Sequence, residues 1–173
     1  MSTVTDTIVY FDGFFCVVGK VTPGSKREFT FNETIEANRM CPRQLFTDSF
    51  TYLGMTIEPG MMTQDLPDRI QGTYYMEPVA QDKDSYYLNA FRTPWNGRYY
   101  DNEPVNVNRV YLQAGDTYTI QHNQCLMVGV GTVNISRELS TVEAIAPKIV
   151  DCRISSQLTV TAVTDAVICE VWV

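Results

Sequence analysis

The sequence predicts an all-β protein: an antiparallel β-sandwich with long loops and at most short helices. Three observations predict it. Polar and apolar residues alternate with period two, as in Gln157 to Ala162, where Leu158, Val160 and Ala162 share one face and Gln157, Thr159 and Thr161 the other. β-branched and aromatic residues dominate the apolar runs. Turn signals fall between the runs, at Asp12-Gly13, Pro23-Gly24, Pro59-Gly60, Asn96-Gly97, Ala114-Gly115 and Thr164-Asp165. Many short strands at such spacing indicate a sandwich or barrel.

In chain order, strands are expected over Thr7 to Tyr10, Phe14 to Val21, Glu28 to Phe31, Phe50 to Ile57, Thr73 to Met76 and Tyr86 to Ala90. They continue over Val105 to Leu112, Thr117 to Ile120, Leu126 to Ile135, Ile149 to Ile154, Gln157 to Ala162 and Ala166 to Val173. No helical stripe exceeds about two turns, a length at which a helix is marginal by itself. The best helical candidates are Ile35 to Met40 and Arg43 to Phe46, separated by Pro42. Glu58 to Gly72 reads as a long loop, and Pro78 to Pro104 as a charged tip followed by an aromatic patch. Around Gly129-Val130-Gly131 the apolar face switches from Leu126, Val128 and Val130 to Val133 and Ile135, so a bulge or barrel corner is expected there.

A chain of 173 residues is read as one domain, 1–173, with long loops and a hairpin over 58–104. The net charge is −7, from 13 basic and 20 acidic residues. That balance disfavours phosphate-driven nucleic-acid binding and anionic membrane surfaces. The N-terminus has no basic region before an apolar run, and no apolar run approaches about 18 residues, so neither a signal peptide nor a membrane span is expected. The five cysteines, Cys16, Cys41, Cys125, Cys152 and Cys169, are widely spaced and read as reduced, mostly buried thiols. Asn32-Glu33-Thr34 and Asn134-Ile135-Ser136 match the glycosylation sequon but carry no weight without a secretory signal.

From Val110 onward the residues resemble the second motif of the cupin superfamily. Gly115 is followed by the strand Asp116 to Ile120. The motif's proline and glycine positions hold Gln121 and Asn123, its histidine position Leu126 and its asparagine position Val130. The resemblance implies a jelly roll, with 105–173 as its cupin-like part. Gly131 to Ile135, Ile145-Ala-Pro-Lys-Ile149, Leu158 to Ala162 and Asp165 to Trp172 are also similar to a strand order in small cupin-like proteins of tailed phages. That similarity implies a module serving assembly.

Chemistry-bearing patterns are sparse. A metal cupin draws several imidazoles from neighbouring strands, and this chain has one histidine, His122, in the polar turn Gln121 to Gln124. Asp82-Lys83-Asp84 and the Asp65, Asp68 pair lack the glycine and distal glutamate of a calcium loop. His122 and Cys125 stand roughly 10 Å apart on an extended chain, too far for a nucleophile and its base. No metal, cofactor or catalytic set is therefore expected. The aromatic stretch Tyr86 to Asp101 supplies the interface or ligand candidates: Tyr86, Tyr87, Phe91, Arg92, Trp95, Arg98, Tyr99 and Tyr100. Tyr, Trp and Arg are the residue types that anchor protein interfaces, and the same rings also stack on sugars or simply cover a core edge.

The expected function is a non-enzymatic structural or assembly protein. It would be a homo-oligomeric β-sandwich of a phage virion, bound to other virion proteins and located in the virion or host cytoplasm. Two alternatives stand beside it. One is a carbohydrate-binding module using the Trp95 loop. The other is a metal-free cupin-type isomerase or epimerase that builds its acid–base pair from Tyr, Glu, Lys or His122.

Overall fold

Alternation and β-branching produce sixteen strands among the described residues of a computed structural model, which describes residues 4–35, 43–66, 70–92, 105–154 and 157–173. The first eight are β1 (Val4–Tyr10), β2 (Phe14–Val21), β3 (Arg27–Ile35), β4 (Arg43–Phe46), β5 (Phe50–Tyr52), β6 (Met55–Ile57), β7 (Ile70–Pro78) and β8 (Ser85–Arg92). The rest are β9 (Asn106–Leu112), β10 (Thr117–Thr119), β11 (Cys125–Val130), β12 (Thr132–Arg137), β13 (Ser140–Ile145), β14 (Lys148–Asp151), β15 (Thr159–Ala162) and β16 (Ala166–Trp172). A short 3-10 helix, Thr63–Asp65, interrupts the expected long loop. All-β architecture with antiparallel pairing is as expected. No helix among the described residues is long and apolar enough to cross a membrane.

Where the sequence reading takes 1–173 as one domain, the contacts divide the chain into two compact units, Met1–Val105 and Asn106–Val173. In the C-terminal unit one sheet runs β14-β11-β16-β9 and the other β10-β15-β12-β13. The chain alternates between the sheets and stays in one only for the β12–β13 hairpin, which is jelly-roll order. The inward residues of both sheets form one apolar cluster that includes Leu126, Val128, Val133, Ile135, Leu158, Val160 and Ile168. The switch of face near Gly131 is the corner between sheets. The register of β11 on β16 shifts between Val128 and Val130, Gly131 takes φ +82°, and a Cβ there would stand 2.2 Å from the Asp165 carbonyl oxygen. Only glycine meets both demands without displacement.

The N-terminal unit repeats this order with two changes. Its sheets run β1-β2-β8-β4 and β3-β7-β5-β6. Without β1, an added edge strand on β2, the order matches the C-terminal unit except for the sixth strand. That strand is reduced to a single antiparallel bridge from Met62 to Leu45 on β4. The core is aromatic, built on Phe46, Phe50, Tyr52 and Tyr87. Tyr87 meets Phe50 edge-on at 6.2 Å, and its ring occupies the space that a Cβ on Gly19 would need.

Two local expectations are corrected. Arg43 to Phe46 is strand β4, not helix. It pairs with β8, and Gln44, Leu45 and Phe46 are all buried, which a four-residue helix with one apolar face would not achieve. Phe50 to Ile57 is two strands, because a Leu53-Gly54 turn with positive φ at both residues folds it into a hairpin. Of the other helical candidate, Ile35 ends β3, and 36–40 lie outside the described residues.

Candidate functional site

Strand β16 places Ala166, Ile168 and Glu170 on the inward face of the C-terminal unit, in register with Leu112, Val110 and Asn108 of β9. A charged residue in that series is fully buried: Glu170 has no exposed surface. Burying an unpaired carboxylate is costly, and the chain meets the cost with donors from β10 and the turn that follows it. The Tyr118 hydroxyl donates to Glu170 Oε1 at 2.6 Å. The Gln121 amide donates to the same oxygen at 3.0 Å, and the His122 amide donates to Oε2. Asn108 Nδ2 donates to the Tyr118 hydroxyl oxygen at 3.3 Å. Burial, with the hydrogen bond to Glu170 next in size, pushes the Tyr118 phenol up to about 12, so the neutral hydroxyl is its form at ordinary pH.

His122 sits on the same turn with its ring stacked on Trp172 at 3.6 Å between centroids. The Gln124 side chain fixes the turn's other end, accepting from the Val173 amide at 3.2 Å. Cys152 is buried near the carboxylate. Burial raises its thiol to about 12, and the Glu170 charge adds to the rise. Tyr118 is half-buried while Glu170 is sealed.

The two sheets part at their β13 and β14 edges, leaving a cleft of about 340 Å³. Ile135, Val142, Ala144, Ile154 and Leu158 form its apolar lining, with Arg137 and Lys148 among its charged residues. The Leu158 carbonyl accepts from the Ile120 amide at 2.9 Å, which ties the cleft to the strand that carries Tyr118.

The histidine and asparagine positions of the resemblance hold residues that bind no metal. Leu126 is fully buried in the apolar cluster, and Val130 lies at the corner. Among the described residues no group of three or more His, Cys, Asp or Glu side chains is placed to hold a metal ion. The donor set of this barrel does not fit a cupin metal.

The aromatic candidates divide. Tyr87 is buried in the N-terminal core. Tyr86, Phe91 and Arg92 are half-buried on β8, with Phe91 stacked on Phe15 at 5.1 Å. Trp95, Arg98, Tyr99 and Tyr100 lie outside the described residues. Cys16, Cys125, Cys152 and Cys169 are buried, and Cys41 lies outside the described residues. The residues that sequence reading missed are Glu170 and Tyr118. The signal for Glu170 was present: in Ala166-Val-Ile-Cys-Glu-Val-Trp172 the acid falls in step with the inward residues.

No family model and no curated protein matches the sequence. Solved structures match the fold. A cupin 2 conserved barrel domain protein from Leptotrichia buccalis is 9% identical over 99% of this chain and 91% of its own, with a TM-score of 0.53. The fold is cupin-like. AerE from Microcystis aeruginosa is 8% identical over 97% of this chain and 91% of its own, at 0.53. Ylba from E. coli is 13% identical over 97% and 82%, at 0.55. At these identities the likeness concerns the fold alone. It overturns the expectation of a structural protein of a phage virion. The chain follows cupin proteins of bacteria along nearly its whole length, and the phage, virion and oligomer expectations find no support. The cupin-type alternative accounts for the fold better.

Proposed function

We propose that the protein is a cupin-type isomerase or epimerase that works without a resident metal, with its C-terminal barrel as the catalytic unit. The observation that carries this reading is the Tyr118 hydroxyl held 2.6 Å from the sealed carboxylate of Glu170. A phenol on a carboxylate is a proton relay. The Tyr118 oxygen takes a proton from the carbon next to a substrate carbonyl while its own proton passes to Glu170. The electron pair of the broken C–H bond moves into an enolate. Reprotonation of the same carbon from the opposite face gives the epimer. Where that carbon bears a hydroxyl, its proton passing to the former carbonyl oxygen and reprotonation of the former carbonyl carbon give the isomer. Glu170 returns its proton to the Tyr118 oxygen as Tyr118 gives one up. His122, on the turn that supplies amides to Glu170, is the second proton group.

The test is solvent exchange. Ketopentoses and ketohexoses are incubated with the protein in deuterated water, and deuterium at the carbon next to the carbonyl is followed by NMR. The expected result is incorporation into at least one sugar above the uncatalysed rate, reduced about 100-fold or more by Tyr118→Phe. No incorporation across the panel, or incorporation that Tyr118→Phe leaves unchanged, would overturn the reading.

A further inference from the structure

The cleft between β13 and β14 is lined in a way that the proton relay does not require. The register pairs Ile135 with Val142 and Arg137 with Ser140, so Arg137 and Val142 share the inward face with the core residue Ile135. On the other sheet Lys148 pairs with Val128, which places Lys148 on the inward face as well. Two cations from different sheets thus stand over one apolar floor. Val142 is 64% exposed although it lies on the core side, because no strand covers it here.

The cleft's acids do not cancel these charges. Asp151 is held by Arg153 at 2.8 Å, and that hydrogen bond keeps its carboxyl below the usual range. Glu143 pairs with Asn134, on the outward face of β13. Among the described residues Lys148 has no ion pair, and the Arg137 side chain donates a long hydrogen bond to Ser140 at 3.4 Å. In a chain with 13 basic and 20 acidic residues, two inward-facing bases on an uncovered apolar floor form a local positive site.

We infer that this cleft binds a small carboxylate with an apolar body, its head between Arg137 and Lys148 and its body against Val142, Ala144, Ile135 and Leu158. The volume of about 340 Å³ suits roughly a dozen heavy atoms at protein packing density. A carboxylate matches the pair because guanidinium and ammonium groups both donate charge-assisted hydrogen bonds. The inference goes beyond the acid–base reading and stands without it, since it concerns binding and not turnover.

The test uses three probes of one shape: 2-naphthoate, neutral 2-naphthalenemethanol and cationic 2-naphthylmethylamine. Titration of the whole protein is followed by methyl NMR and calorimetry. The expected result is 2-naphthoate shifting the methyls of Val142, Ala144 and Leu158, with at least 10-fold weaker binding of the alcohol and weaker binding still of the amine. Arg137→Gln with Lys148→Gln should reduce naphthoate affinity about 10-fold or more and leave the alcohol unaffected. Both positions are exposed, so the fold should survive, and the unperturbed methyl spectrum of the variant checks it. The inference is overturned by naphthoate binding that leaves those methyls unmoved, by no binding, by equal affinity for the three probes, or by naphthoate binding that the double variant leaves intact. Loss of Tyr118 should not alter naphthoate binding, so failure here and failure of the proton relay are separable.

Discussion

In the C-terminal unit the buried carboxylate Glu170 has both oxygens engaged by a phenol and two backbone amides. In the N-terminal unit the buried polar pair Gln44 and Asn89 face each other across β4 and β8, and Gln44 Oε1 and Asn89 Oδ1 have no hydrogen-bond partner among the described residues. The two units thread nearly the same strand order through cores of opposite polar logic. One core is aliphatic, with a satisfied charge at its end. The other is aromatic, with neutral amides only partly satisfied. A satisfied buried charge is worth most to function, because its donors are held in one geometry. A partly satisfied amide is a stability loss.

The largest expected effect comes from the side with the charge. Glu170→Ala strands the Tyr118 hydroxyl and the amides of Gln121 and His122, and should cost about 3–5 kcal/mol in urea unfolding. Asn89→Leu should be close to neutral, within about 1 kcal/mol, because it removes a polar group that lacks a full set of partners. Equal losses at the two positions would erase the contrast.

A middle-sized effect tests the corner. Gly131→Ala meets the Asp165 carbonyl at 2.2 Å in addition to its φ of +82°, and should cost more than about 2 kcal/mol. Gly24→Ala in the N-terminal unit has a similar φ of +80° with open space around the added carbon, and should cost about 1 kcal/mol. Urea midpoints for the two variants measure the difference.

The smallest effect is alkaline. Cys152 and Tyr118 both hold their protons more tightly folded than unfolded, rising from 9.0 and 10.0 to about 12. Between pH 9 and about 12 the unfolded chain has therefore lost protons that the folded chain keeps. The folded state binds more protons there, so stability should fall as pH rises through that window and be unaffected by these groups below it. Cys152→Ala should flatten the lower part of the decline, as read by thermal unfolding at successive pH values.

Much of the C-terminal unit was legible because its code is local. Leu158, Val160 and Ala162 alternate as expected, and at 5%, 0% and 2% exposure they are the inward residues. The glycine corner was marked by a switch of apolar face. Strand β13 was not legible, since five of its six residues are exposed and an edge strand that buries so little has no apolar alternation. Nor was β4, where three of four residues are buried, on both faces, and therefore carry no period. The strand order shared by the two units leaves no repeat in the sequence, because many different residues satisfy one topology. Glu170 was in view as an acid in an inward series, but Tyr118 stands 52 residues away, on a strand of the other sheet, and only the packing of the two sheets brings them together.

The most direct measurement sets the exchange rate of Tyr118→Phe beside its stability. The substitution removes one hydroxyl and keeps the ring packed, so the account predicts a rate loss of about 100-fold or more with a stability change near 1–2 kcal/mol and a fully folded protein. A rate that merely follows the folded fraction would contradict it and leave the Tyr118–Glu170 pair as a structural pin for the turn.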